Sequence, residues 1–164
     1  MNVVYLLLGS NMNDRTGMLR LAREAIQSRI GKITRESSVY ETEPWGFHCE
    51  DLFLNQAVRL QTNLLPAEVM DEILTIEKDL GRRRSRINGF SARSIDIDIL
   101  FYNDAVIQEE SLTIPHPRIP ERMFTLLPLS EIDRSMIHPV SQKTIGQLVT
   151  ECPDPHRVSF YQEK

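Results

Sequence analysis

The order of apolar patterns along this chain predicts an α+β fold. Six segments alternate between the periodicities of strands and helices, and they run strand, helix, strand, strand, helix, strand. One of the strands, Arg93 to Leu100, sets acids on one side and isoleucines on the other, the period-two pattern of a strand with one face in a core. Pro66 and Gly81 bracket the second helix at the positions each residue favours. This order is the βαββαβ of a ferredoxin-like core. It has an antiparallel sheet with helices packed on one side, and extra C-terminal helices are available to cover the other.

Each element has a local reason. Val3 to Leu8 is a continuous apolar run, expected for a strand buried on both faces, and Gly9-Ser10-Asn11 breaks it. A helix is expected from about Asp14 to Arg29, with Leu19, Ala22, Ile26 and Ile30 as its stripe and Gly31 as its end. Ile33 to Tyr40 reads as the second strand. Glu41 to Asp51, which contains Pro44, Trp45, Gly46 and His48, reads as a loop. Phe53 to Gln61 is the third strand, with Phe53, Asn55, Ala57 and Arg59 on one side. In the second helix Val69, Ile73, Ile76 and Leu80 line up at helical spacing. A basic segment, Arg82 to Ala92, leads into the acidic strand. Asn103-Asp104 turns that strand into a short partner around Ala105 to Ile107. Pro115, Pro117 and Pro120 mark an extended loop containing His116. Short helices follow near Glu121 to Ser130 and Thr144 to Glu151. No repeat, linker or low-complexity stretch interrupts the chain, which reads as one domain over 1–164.

A length of 164 residues suffices for a domain with its own core. The formal net charge of −4 argues against a general polyanion binder, so the dense arginines point to a local site. Cys49 and Cys152 have no metal-ligand or redox spacing and read as reduced thiols of a cytoplasmic protein. The apolar N-terminus lacks a basic leader and a cleavage site, and no apolar run approaches the ~20 residues of a membrane span. The expected partners are small molecules, with no nucleic acid and no membrane.

Asp96 and Asp98 carry the most chemical information. Two residues apart in a strand, they share a face and repel. A hard cation such as Mg²⁺ relieves that repulsion because it prefers carboxylate oxygens. Arg82, Arg83, Arg84 and Arg86 lie just upstream, with Arg93 at the strand entrance. Carboxylates for metal beside guanidinium groups for phosphate suggest metal-assisted phosphoryl chemistry. Gly81 and Gly89 bound the basic segment, which fits an active-site lid better than a nucleic-acid patch. Gly9-Ser10-Asn11 lacks the rest of a P-loop and, alone, is a turn. His116 could donate to a phosphate or act as an acid, or simply lie at the surface. Adjacent His48, Cys49 and Glu50 cannot easily converge on one ion. Trp45, Phe47, Phe53 and Phe124 could line a slot for a flat heterocycle, or only pack. Asn55, placed among apolar strand positions, can read an amide edge with its donor and acceptor.

Gly9-Ser10-Asn11, Asn55, Glu77, Arg82, Arg93 to Ile99, Pro115-His116-Pro117 and Arg122-Met123-Phe124 occur in one order. Together they resemble the 6-hydroxymethyl-7,8-dihydropterin pyrophosphokinases of folate biosynthesis, over nearly the whole chain. The resemblance implies transfer of the β,γ-diphosphate of ATP to the pterin hydroxymethyl group, releasing AMP, by a cytoplasmic monomer. It implies that Asp96 and Asp98 hold two Mg²⁺ ions, and that Arg82 and Arg93 contact the phosphates, with Arg84 in support. His116 and Arg122 would bind ATP phosphates, while Glu77, Ile99 and Thr113 lie around the nucleotide. Phe53 and Phe124 would sandwich the pterin, and Asn55 with the backbone of Thr42, Glu43, Pro44 and Trp45 would read its edges.

The chain departs from the family pattern at Gly89-Phe90-Ser91-Ala92, where a basic residue, Trp, Gly and Pro are usual. It departs again at Ser111, where some members place an ATP-contacting Arg, and at Phe53, which replaces a common Tyr. The rival readings are a regulatory module that binds nucleotide without turnover, and an RNA-binding α+β domain. The first needs no acid pair, and the second is opposed by one.

Overall fold

The computed structural model describes residues 1–11, 14–42, 52–81 and 95–162. The chain runs β1 (Asn2–Ser10), α1 (Arg15–Arg29), β2 (Lys32–Glu36), β3 (Tyr40–Thr42), β4 (Phe53–Thr62), α2 (Pro66–Asp79) and β5 (Asp96–Tyr102). It continues through β6 (Ile107–Glu109), β7 (Leu112–Ile114), a 3-10 turn at Ile119–Glu121, α3 (Met123–Asp133), α4 (Ile145–Glu151) and β8 (Val158–Phe160).

Asp14 caps α1 by accepting from the Gly17 N–H, which satisfies one of the free donors of the first turn. Pro66 opens α2, and the Glu68 carboxylate turns back to accept from the Leu65 N–H at 2.7 Å. Gly81 follows α2 with φ 93°, a backbone conformation that glycine adopts without a Cβ clash.

The main sheet has the order β5-β1-β4-β3-β8, with β2 also on β4. Every pairing is antiparallel. With β2 and β3 taken together, this is the expected βαββαβ core with β1 and β4 at its centre. One face, bearing Leu6, Leu8, Val58, Leu60, Ile97 and Ile99, packs on Leu19, Ala22 and Ile26 of α1 and Val69, Ile73 and Ile76 of α2. The other, bearing Tyr5, Leu7, Ala57, Leu100 and Phe101, packs on Leu126, Leu129 and Ile132 of α3 and Ile145 and Leu148 of α4. Each fully buried Leu or Ile contributes roughly 1.5–3 kcal/mol of burial free energy.

The expected second strand is two strands. From Glu36 to Tyr40 the chain advances one residue more than its partner does from Val58 to Asn55. Ser37 takes up the extra residue: its hydroxyl accepts from the Ala57 N–H at 3.0 Å and its carbonyl accepts from Gln56 Nε2 at 2.8 Å. The expected partner of β5 at Ala105 to Ile107 also differs. Residues Ile107–Glu109 pair instead with Leu112–Ile114 as a separate hairpin. Asn103, at φ 49°, turns back onto β1, where its N–H donates to the Val3 carbonyl and its Oδ1 accepts from the Val3 N–H. The apolar patterning did not signal β8, which pairs with β3.

Candidate active site

The antiparallel register assembles the site. Gly9 of β1 lies opposite Asp96 of β5 on one side and opposite Asn55 of β4 on the other. Asn55 in turn faces Tyr40, and Phe53 faces Thr42. Residues opposite one another in a sheet share a face, so Asp96, Asn55 and Phe53 lie on the α3–α4 side. Asp98 is opposite Leu7 on the same side. The floor between them is low because Gly9 has no side chain. A Cβ there would stand 3.1 Å from Asn55 Oδ1 and 4.0 Å from the Phe53 ring.

Asn55 is 4% exposed, and its Nδ2 is a buried donor without a hydrogen-bond partner among the described residues. A buried donor left unpaired costs about 1–3 kcal/mol. A ligand carbonyl or ring nitrogen that accepted from it would recover that cost. Thr42 is committed elsewhere, its hydroxyl donating to the Arg157 carbonyl at 3.2 Å.

β5 ends the sheet, so its outer backbone edge needs other partners. Glu77, near the end of α2 and 3% exposed, accepts from the Ile97 N–H at 3.0 Å. The bond falls on the amide between Asp96 and Asp98, so Glu77 braces the segment that carries the acids. On the same edge the His116 N–H donates to the Leu100 carbonyl at 3.1 Å. A groove of about 270 Å³ runs beside this edge, lined in part by Asp98, Ile99, Thr113, His116 and Pro117. Asp96 and Asp98 are half-buried, and among the described residues no third metal-ligating side chain joins them. Two carboxylates with room for further oxygens are a donor set that suits Mg²⁺, which keeps water or phosphate in its remaining positions.

Arg122 sets a cation beside the acids. Burial lowers the Arg122 pKa from its ordinary value, while Asp98 and Asp96 draw it back up. Its guanidinium carbon stands 5.5 Å from the centre of the Phe124 ring. Burial, then the Arg122 charge, brings His116 down to about 4, with Asp96 opposing. The ring is therefore neutral near pH 7. Its Nδ1 accepts from the Arg118 N–H at 3.2 Å, which leaves the proton on Nε2 as a donor. His116 thus offers a neutral hydrogen-bond donor and not an acid.

The family model described as 7,8-dihydro-6-hydroxymethylpterin-pyrophosphokinase (HPPK) matches residues 5–134. The chain belongs to this family. It is 40% identical over 151 residues to the 2-amino-4-hydroxy-6-hydroxymethyldihydropteridine pyrophosphokinase of Aquifex aeolicus, covering 92% of each chain. It is 42% identical over 132 residues to the Bacillus subtilis protein of that name, covering 80% of this chain and 78% of that one. Among solved structures it resembles a wild-type Plasmodium falciparum HPPK-DHPS with TM-score 0.74 over 92% of its length. At 22% identity that likeness is one of fold, and the chain spans 43% of that longer one.

Of the residues expected to act in an HPPK, Asp96, Asp98, Ile99, Thr113, His116 and Arg122 come together along β5, and Phe53 and Asn55 stand one strand beyond Gly9. Glu77 reaches the β5 backbone. Arg82, Arg84 and Arg93, the whole Arg82 to Ala92 segment, and Glu43, Pro44, Trp45, Phe47, His48, Cys49 and Glu50 lie outside the described residues. Sequence reasoning underrated Gly9. Its signal was a glycine at the end of a buried strand, but its partner Asn55 becomes visible only once β1 and β4 are in register.

Proposed function

We propose that the row Asp96–Gly9–Asn55, with the groove along β5, is where this pyrophosphokinase joins ATP to 6-hydroxymethyl-7,8-dihydropterin. The observation that carries the reading is the cross-strand row. It sets an acid pair, a glycine and an unpaired buried amide donor on one face of the sheet. In this reading the pterin hydroxyl oxygen bonds to the β-phosphorus of ATP, the bond to AMP breaks, and the hydroxyl proton is released.

Asn55 Nδ2 donates to the pterin edge, Phe53 and Phe124 offer ring faces to it, and the backbone of Thr42, Glu43, Pro44 and Trp45 completes its recognition. Ile99 and Thr113 flank the nucleoside, and Glu77 keeps their strand in place. His116 Nε2 donates to a phosphate oxygen. Arg122, with Arg82, Arg84 and Arg93, balances the phosphate charge. Asp96 and Asp98 would hold Mg²⁺, in two ions, and that metal would supply Lewis acidity for the phosphates and the attacking hydroxyl. Residues 1–164 act as one domain, as a monomer, in the cytoplasm. No helix among the described residues is long and apolar enough to cross a membrane.

The test is AMP formation from MgATP with the purified protein. AMP is expected only when hydroxymethyl-dihydropterin is present, in equal amount with the pterin diphosphate. Folded protein that forms no AMP under these conditions overturns the reading.

A further inference from the structure

Arg122 and Phe124 flank Met123, the first residue of α3. Arg122 precedes the helix in extended conformation and has no side-chain cap of its own. The Met123 N–H is satisfied from far along the chain, by Asp154 Oδ2 at 3.0 Å. The Asp154 side chain is fully buried. Its other oxygen accepts from the His156 N–H at 2.9 Å and meets His156 Nδ1 at 2.6 Å. A carboxylate at the start of a helix is favoured by the helix dipole, and hydrogen bonds to a charged acceptor are the strong ones. The bond therefore fixes the peptide between Arg122 and Met123, the residue that Phe124 follows.

We propose that Asp154 is a positioning residue for pyrophosphoryl transfer. Through the Met123 N–H it holds Arg122 against Asp98 and Asp96 and sets the angle of the Phe124 ring. The inference rests on the reading of the site given above. It assigns a role to Asp154, in the segment between α4 and β8.

Two variants test it from opposite ends of one hydrogen bond. Asp154→Asn keeps the shape but removes the charge and turns a donor toward donors. Met123→Pro deletes the N–H while keeping Asp154, at the first helical position, where proline is tolerated, after a residue already extended. Both are assayed well below their melting temperatures for AMP formation. Each is expected to raise KM for MgATP and for the pterin by about tenfold, the scale of a lost charge-assisted hydrogen bond. The double variant is expected to be no worse than the weaker single one, since both remove the same bond. A structural role alone lowers the melting temperature and leaves KM unchanged, and that result overturns the proposal. Arg122→Ala and Phe124→Ala separate the two readings. If they too leave KM unchanged, the site reading fails and this one with it. If they raise KM while both test variants do not, this proposal fails alone.

Discussion

On the α1–α2 side of β5, Ile97 and Ile99 are 4% and 3% exposed, join the core and reach the wall of the groove. On the other side Asp96 and Asp98, one residue away from each, stand half-buried beside Arg122. The backbone is the same, and so is the sheet. What differs is how far the covering helices reach: α3 and α4 close over Tyr5, Leu7, Ala57 and Leu100, while Gly9 leaves the row beyond them without a side chain at its centre. The contrast separates two demands on one strand. Its isoleucines serve the core, with Ile99 also at the groove, and its aspartates carry like charges that a bound cation would relieve.

Three measurements break or sharpen that contrast. The largest effect is expected from Asp98→Ala. In the proposed metal role, losing this carboxylate would remove several kcal/mol of transition-state stabilisation, about a thousandfold or more in rate. The fold survives, because the change also relieves like-charge repulsion. A wild-type rate of AMP formation, or a collapse of the melting transition, would erase the distinction between the faces. The mirror experiment is Leu6→Ala, at a fully buried position on the α1–α2 face. It is expected to cost about 2–5 kcal/mol in denaturant unfolding and to leave turnover per folded molecule near wild type. A matching loss of rate would mean that the two faces are coupled.

The smallest effect concerns pH. The His116 pKa falls from 6.5 to about 4 on folding, chiefly through burial and then through Arg122. As the pH falls through this window the unfolded chain takes up a proton that the folded one refuses. Stability is therefore lost from near 6.5 downward and levels off below the folded value. Unfolding curves across that range should show this slope, and His116→Asn should flatten it. An equal slope in the variant would mean that the ring is not held in the environment described.

The fold was legible wherever one short-range rule acted alone. The runs Val3–Leu8 and Phe53–Gln61, and the stripe Val69, Ile73, Ile76, give their elements directly. Ser37 was not legible, because its hydroxyl competes with the ladder only when Ala57 is alongside. The fate of Ile107 was hidden for a similar reason: whether it joins β5 depends on which groups have already taken the β5 edge. At the site, the acid pair and Asn55 stood out as polar residues in apolar strands. The pairing of Gly9 with Asn55 and the Asp154 bond to the Met123 N–H did not, since each joins residues more than thirty apart in the chain.

The edge of β5 has one more consequence. An outer strand rich in isoleucine is a template for another copy of the same chain, and proteins must blunt it. Here Glu77 takes the Ile97 N–H and the His116 N–H takes the Leu100 carbonyl. The carboxylate that braces the acid-bearing strand and the His116 backbone beside the groove also keep the molecule from adding a neighbour's strand. Bracing of the acid-bearing strand and resistance to aggregation thus draw on the same two hydrogen bonds, and loss of the Glu77 carboxylate is expected to bare the Ile97 N–H to a neighbouring edge.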